Sequence, residues 1–149
     1  PFQFLALDIS SDDVLTLSDA FDHLVHRESL DHYTNVNGLQ VDAVKQILVE
    51  GLPPVLVLHL KRFVFCAEKG VQKLHKYLSY PMLLNIEPRW VSPLKKRALS
   101  NAAYRLTTVI YHHGEWAGGG HYTCDVLRQP GEWVRFDDIN IEYLPSENH

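Results

Sequence analysis

Three glycines, Gly118, Gly119 and Gly120, lead directly into His121, and two adjacent aspartates, Asp137 and Asp138, follow sixteen positions later. An imidazole titrates near neutral pH, so histidine is the side chain best suited to take a proton and return it. A carboxylate that accepts from Nδ1–H fixes the tautomer, steadies the imidazolium and leaves Nε2 free to act as base. The spacing brings the two groups together. The only turn signal between them is Pro130–Gly131, and the midpoint of 121 and 137 falls beside it, at Gln129. In an antiparallel hairpin closed there, His121 and Asp137 lie opposite each other on one face, and a bulge of one residue would bring Asp138 there instead. Such a pair is half of a nucleophile–histidine–acid triad. It is also what an ordinary surface contact looks like, and spacing alone favours that plainer reading at least as much.

The glycines have a use of their own. Glycine lets backbone approach a ligand closely and tolerates positive φ, so the loop Gly114–Glu115–Trp116–Ala117–Gly118–Gly119–Gly120 is suited to move over an extended peptide. Trp116 inside it is expected to be exposed and to meet a partner. His112 and His113 are adjacent on a strand-like run and point to opposite faces. They do not easily share an ion with His121, and no cysteine pair assists, so no metal or other cofactor is expected. Cys124 lies three residues from His121 and so points to the opposite face. Cys66 follows an apolar run and is expected to pack as a small hydrophobe. Neither is expected to be a nucleophile. Lys95–Lys96–Arg97 reads as a solvated loop, and Phe63, Phe65, Trp90 and Trp133 as core or loop anchors.

These groups need a scaffold. The 149 residues suit one domain, and 46% apolar against 21% charged composition is enough for a sizeable core. A net charge of −4 argues against nucleic acid and anionic membranes as partners, and no apolar run has the length of a membrane span. Two cysteines outside any CxxC pair suit a reducing compartment. The chain opens on Pro1 inside a strand-like run, without a signal-peptide layout, and is expected to be part of a longer protein.

PFQFLALDI, with Phe2 and Phe4, reads as a partly buried strand. Leu17, Ala20, Phe21, Leu24 and Val25 recur at helical spacing, and Thr16 with Asp19 resembles a capping box, which predicts a short helix from Ser18 to Glu28. DHYTNVNGLQ reads as a polar segment turning at Asn37–Gly38. Beyond it VDAVKQILV, LPPVLVLHLKRFVF, VQKLHKYLSYPMLLNI (broken at Pro81), YRLTTVIYHH, HYTCDVLRQ and EWVRFDD read as strands, with EPRWVSPLKKRALSNAA as a long connection. The predicted class is α+β, mainly antiparallel sheet with one short amphipathic helix.

Four segments, in this order, resemble a known family: LPPVLVLHLKRF, KLHKYLSYPMLLNI, YRLTTVIYHHGEWAGGGHYTCDV and WVRFDD. The chain is similar to the C-terminal half of the catalytic domain of ubiquitin-specific proteases, which are papain-like cysteine deubiquitinases. The opening PF-x-x-L-x-LDI, with HRES and LPPVLVLHLKRFV, points to one subgroup of that family. The resemblance implies the palm and base-of-fingers part of the fold, and ubiquitin and ubiquitinated proteins as partners. It implies that His121 is the catalytic histidine, Asp137 its orienter and Asp138 a polar neighbour that assists at the oxyanion or supports the site. It implies that Gly119, Gly120 and Tyr122 form a narrow channel for a Gly-Gly tail. The loop from His112 to Gly120, with His113 and Trp116, then matches a mobile blocking loop over that channel. Arg62 and Phe63 match positions where the core strand approaches the tail. By family habit the compartment is the cytoplasm or the nucleus.

Three features depart from the family pattern. The box holding the nucleophilic cysteine and its upstream oxyanion-hole asparagine is not in this sequence, so the chain alone is expected to be inactive. YTNVNGLQV, from Tyr33 to Val41, lacks the zinc CxxC that many members carry there. The aromatic-rich final strand of the family does not follow SENH. An inactive ubiquitin-binding module of the same fold is the alternative reading, and a β-rich interaction domain with a chance His–Asp pair is a third.

Overall fold

The computed structural model describes residues 4–99 and 101–145. Phe2, expected in the first strand, lies outside them. Strand β1 (Leu5–Asp8) runs parallel to β4 (Leu58–Lys61), with Leu7 opposite Leu60. Between them in sequence stands helix α1 (Leu17–Leu24). Its start is fixed by a capping box: Asp19 N–H donates to Thr16 Oγ1 at 3.1 Å, and Thr16 N–H donates to Asp19 Oδ2 at 2.8 Å. The helix stops four residues short of the expected Glu28. After Val25 the next apolar side chain is Leu30, so a further turn would have no face to bury.

Strands β2 (Glu28–Thr34) and β3 (Gln40–Lys45) form a hairpin that turns at Gly38, φ +77°. The segment DHYT, expected only as a polar stretch before the turn, lies within β2: Tyr33 and Thr34 pair with Val41 and Gln40 of β3, Asp31 and His32 (φ +56°) form a bulge, and all four side chains stay in water. The apolar run LPPVLVLHLKRFVF is two strands rather than one. It breaks at Arg62, after which β5 (Phe63–Cys66) leaves β1 and pairs with β6 (Gly70–Lys73). Phe65 consequently projects into solvent, 78% exposed, and is not a core anchor. YRLTTVIYHH is also divided. β8 (Ala103–Arg105) pairs with β7 (Leu83–Asn85), and β9 (Thr108–His113) joins another sheet. Within the expected loop, Lys96 and Arg97 open a four-residue helix, α2 (Lys96–Leu99).

The main core gathers Leu7, Ile9, Leu17, Ala20, Phe21, Leu84, Ile86, Trp90 and Val91. Phe21 and Trp90 stack at 4.6 Å between ring centroids, and the Trp90 indole N–H donates to Asp22 Oδ1 at 2.7 Å. A separate four-stranded antiparallel sheet runs in the order β12 (Asn140–Leu144), β11 (Glu132–Asp137), β10 (His121–Gln129), β9. The class is α+β and mainly antiparallel, as expected. It differs in being divided into five small sheets among the described residues, one of them a parallel pair.

Candidate active site

The hairpin of β10 and β11 turns at Pro130–Gly131, with Gly131 at φ +79°. Its register sets Cys124 opposite Phe136 and Leu127 opposite Trp133, and a bulge between Leu127 and Gln129 shifts the pairing near the turn. Continuing that register puts Thr123, not His121, across from Asp137. The expected direct opposition is therefore displaced by two residues. Two is the side-chain period of a strand, so the pair still shares a face and meets on the diagonal. His121 Nε2 donates to Asp137 Oδ1 at 2.5 Å.

The nitrogen differs from the expected Nδ1. On the diagonal, Asp137 is reached by Nε2, the ring nitrogen farther from the backbone. Nδ1 is thereby left as the nitrogen turned away from the carboxylate. Both side chains are a little under half exposed, at 46% and 45%. The hydrogen bond to Asp137 raises the His121 pKa above its ordinary value; desolvation, the next largest effect, opposes it, and the charges of Asp137 and Asp138 add to the rise. Asp138 holds a left-handed φ of +51° immediately after β11, which turns its carboxylate towards the pair. His121, Asp137 and Asp138 each offer one ligand atom within 4.8 Å of the others, a grouping that can hold a metal ion as well as a proton.

His121, Thr123 and Asp125 alternate along β10 and build a polar ladder on one face. The His113 ring nitrogen Nε2 lies 2.8 Å from Thr123 Oγ1, and His113 is the direct cross-strand neighbour of His121. Asp125 is fully buried and accepts two bonds from Arg135, at 2.7 and 2.8 Å. Burial, then contacts with Tyr80 and Asp125, push the Tyr111 hydroxyl pKa well up. Thr123, Asp125 and Arg135 were not among the sequence candidates, although the period-two run His-x-Thr-x-Asp was a legible signal for a polar face.

The opposite face carries Ile110, Cys124, Phe136 and Ile141 in one cross-strand row. Cys124 thus points away from His121, and burial, with the charge of Asp125, raises its thiol pKa. Cys66 ends a separate hairpin opposite Gly70.

Between β9 and β10 runs the glycine loop. Gly120 has φ +147°, and a Cβ there would stand 2.4 Å from His112 Nε2 and 2.6 Å from His113 O. Only glycine fits that neck. Trp116 is 74% exposed near the tip. The Tyr122 ring lies 4.9 Å from that of His112, which is 5.6 Å from that of Phe63. These rings and Gly119 and Gly120 line the foot of the loop. Arg62 stands apart from them: its guanidinium donates to the carbonyls of Leu74 and Lys76, at 3.3 and 2.6 Å. His112 and His113 face opposite sides of the sheet, as expected.

A model of the ubiquitin carboxyl-terminal hydrolase family matches residues 11–148. The chain belongs to that family. It is 44% identical to ubiquitin carboxyl-terminal hydrolase 10 of Rattus norvegicus over 147 residues, 97% of this chain and 18% of that protein. This is the subgroup to which the opening motif points. It is 33% identical to ubiquitin hydrolase B of Dictyostelium discoideum over 150 residues, 99% of this chain and 32% of that protein. Among solved structures it is similar to the SAGA Ubp8/Sgf11/Sus1/Sgf73 DUB module bound to ubiquitin aldehyde, with a TM-score of 0.80 and 29% identity over 98% of this chain and 33% of that one. A SAGA DUB module bound to monoubiquitin superposes at 0.81 with 28% identity, over 99% and 32%. The chain spans about a fifth to a third of the length of these relatives.

Proposed function

We propose that this chain supplies the base and its orienting carboxylate to a cysteine-type deubiquitinase. The observation that carries the reading is the His121–Asp137 bond at the foot of a glycine loop whose neck admits no side chain. In the complete enzyme a thiol from outside this chain meets His121 Nδ1 and gives up its proton there. The thiolate attacks the carbonyl of ubiquitin's terminal glycine. The imidazolium returns the proton to the departing lysine amine, and a thioester remains. Water deprotonated by the same nitrogen then releases free ubiquitin and regenerates the thiol. Asp137 holds the ring throughout, and the charge of Asp138 favours the imidazolium. Gly119, Gly120 and Tyr122 receive the tail, with His113, Trp116 and Phe63 around it, while Arg62, bonded to the carbonyls of Leu74 and Lys76, stands away from it.

Only glycine residues thread such a channel, which gives a physical basis for selecting a tail that ends in Gly-Gly. Ubiquitin and ubiquitinated proteins are the partners this reading assigns, and the ubiquitin-bound relatives support it. Two free cysteines agree with a reducing cytoplasm or nucleus.

The test is hydrolysis of a ubiquitin C-terminal fluorogenic amide by the full-length protein, with His121→Ala beside it. Turnover that falls by about 10²–10⁴-fold in the variant, with folding intact, is expected for a general base. Turnover that survives removes the role assigned to His121. Ubiquitin binding without turnover in either protein gives the inactive module instead.

A further inference from the structure

The glycine loop is not held by its own sheet alone. β9 is one of the two edge strands of its sheet, and the carbonyls of His112 and Gly114, two residues apart, point to the same outer side. His113 O points to the other side, towards Gly120. Lys73, the last residue of β6, reaches this outer edge. Its ammonium donates to His112 O at 2.8 Å and to Gly114 O at 2.7 Å. Two positions on, His75 Nε2 lies 2.9 Å from Glu115 Oε2.

The segment that carries both residues is itself secured. Leu74 N–H donates to Arg62 O, and the Arg62 guanidinium donates back to Leu74 O and Lys76 O. Arg62 therefore fixes residues 74–76, and Lys73 fixes the loop neck to them. On the inner side of that neck sit Gly114 against Gly119 and Gly120, and His113 across from His121.

We propose that Lys73 is a positioning residue: by gripping the carbonyls on either side of His113 it sets the neck of the glycine loop and, through it, the channel for the substrate tail. The channel itself rests on the function proposed above. The grip on the loop does not. Lysine suits the place because one ammonium offers three donors to two neutral acceptors without needing a carboxylate. His75–Glu115 is an exposed pair, 64% and 68%, and acts as a minor second tether.

The experiment has two readouts on the full-length protein: Lys73→Met, Lys73→Arg, and Lys69→Met as a charge control in the same hairpin. The first readout is amide hydrogen exchange without substrate. Lys73→Met should speed exchange across 112–122 at least fivefold, leave 132–144 unchanged, and be largely rescued by Lys73→Arg. Unchanged exchange at 112–122 overturns the proposal, and so does acceleration spread over the whole molecule. The second readout is hydrolysis of the ubiquitin amide. KM should rise about tenfold in Lys73→Met with kcat within about threefold, while Lys69→Met matches the parent. Loosened exchange with KM unchanged rejects the link to the channel. A parent that does not turn over rejects the proposed function, and the exchange result then still decides whether Lys73 sets the neck.

Discussion

At the scale of single residues, the carboxylate beside His121 dictates its titration. The Asp137 bond and the Asp138 charge raise the imidazole pKa, so an NMR titration of His121 should show a midpoint above 6.5. Asp137→Asn should lower it, and Asp138→Asn should lower it by less. The sign for stability follows. The pair contributes fully below the unfolded value near 6.5, and the contribution is lost as pH rises through the raised folded value. Half-exposed side chains keep that contribution small. The meeting of His121 with Asp137 was legible from spacing because a strand preserves its face under a shift of two. The nitrogen used was not legible: it depends on whether the contact is direct or diagonal, and the bulge between Leu127 and Gln129 accompanies the diagonal one. Lys73 was invisible for a different reason. Its acceptors are backbone carbonyls 39 and 41 residues away, and carbonyls leave no mark in side-chain patterns.

At the scale of elements, the loop between β9 and β10 separates glycines by function. Gly120→Ala should raise KM for the ubiquitin amide at least tenfold, because the new methyl meets His112 and His113 and the backbone holds φ +147°. Gly118→Ala, with nothing within 4 Å of the added carbon, should leave KM unchanged in the same assay. The start of α1 was readable from Thr16 and Asp19, since a cap is a local signal. The breaks at Arg62 and between β8 and β9 were not. The apolar runs continue across both, and the chain divides because successive parts pair with different neighbours.

At the scale of the whole molecule, the core and the site are built from different parts of the chain. Trp90 stacks on Phe21 and donates to Asp22, far in sequence from His121. Trp90→Ala should cost about 3–5 kcal/mol in denaturant unfolding. The α+β class could be read from periodicity and turn residues, whereas the partition of the described residues into five sheets is a tertiary outcome that no local pattern encodes. The hairpin that joins His121 to Asp137 has one more consequence. Both residues stand at its open end, and β10 and β11 run from there to the closed end at Pro130–Gly131. The tip is exposed and distant from the proton-handling groups. Chain length is therefore nearly free to vary at that tip, since loop closure grows only slowly with added residues. A tag, a linker or an inserted domain can enter there while the ladder keeps base and carboxylate in register.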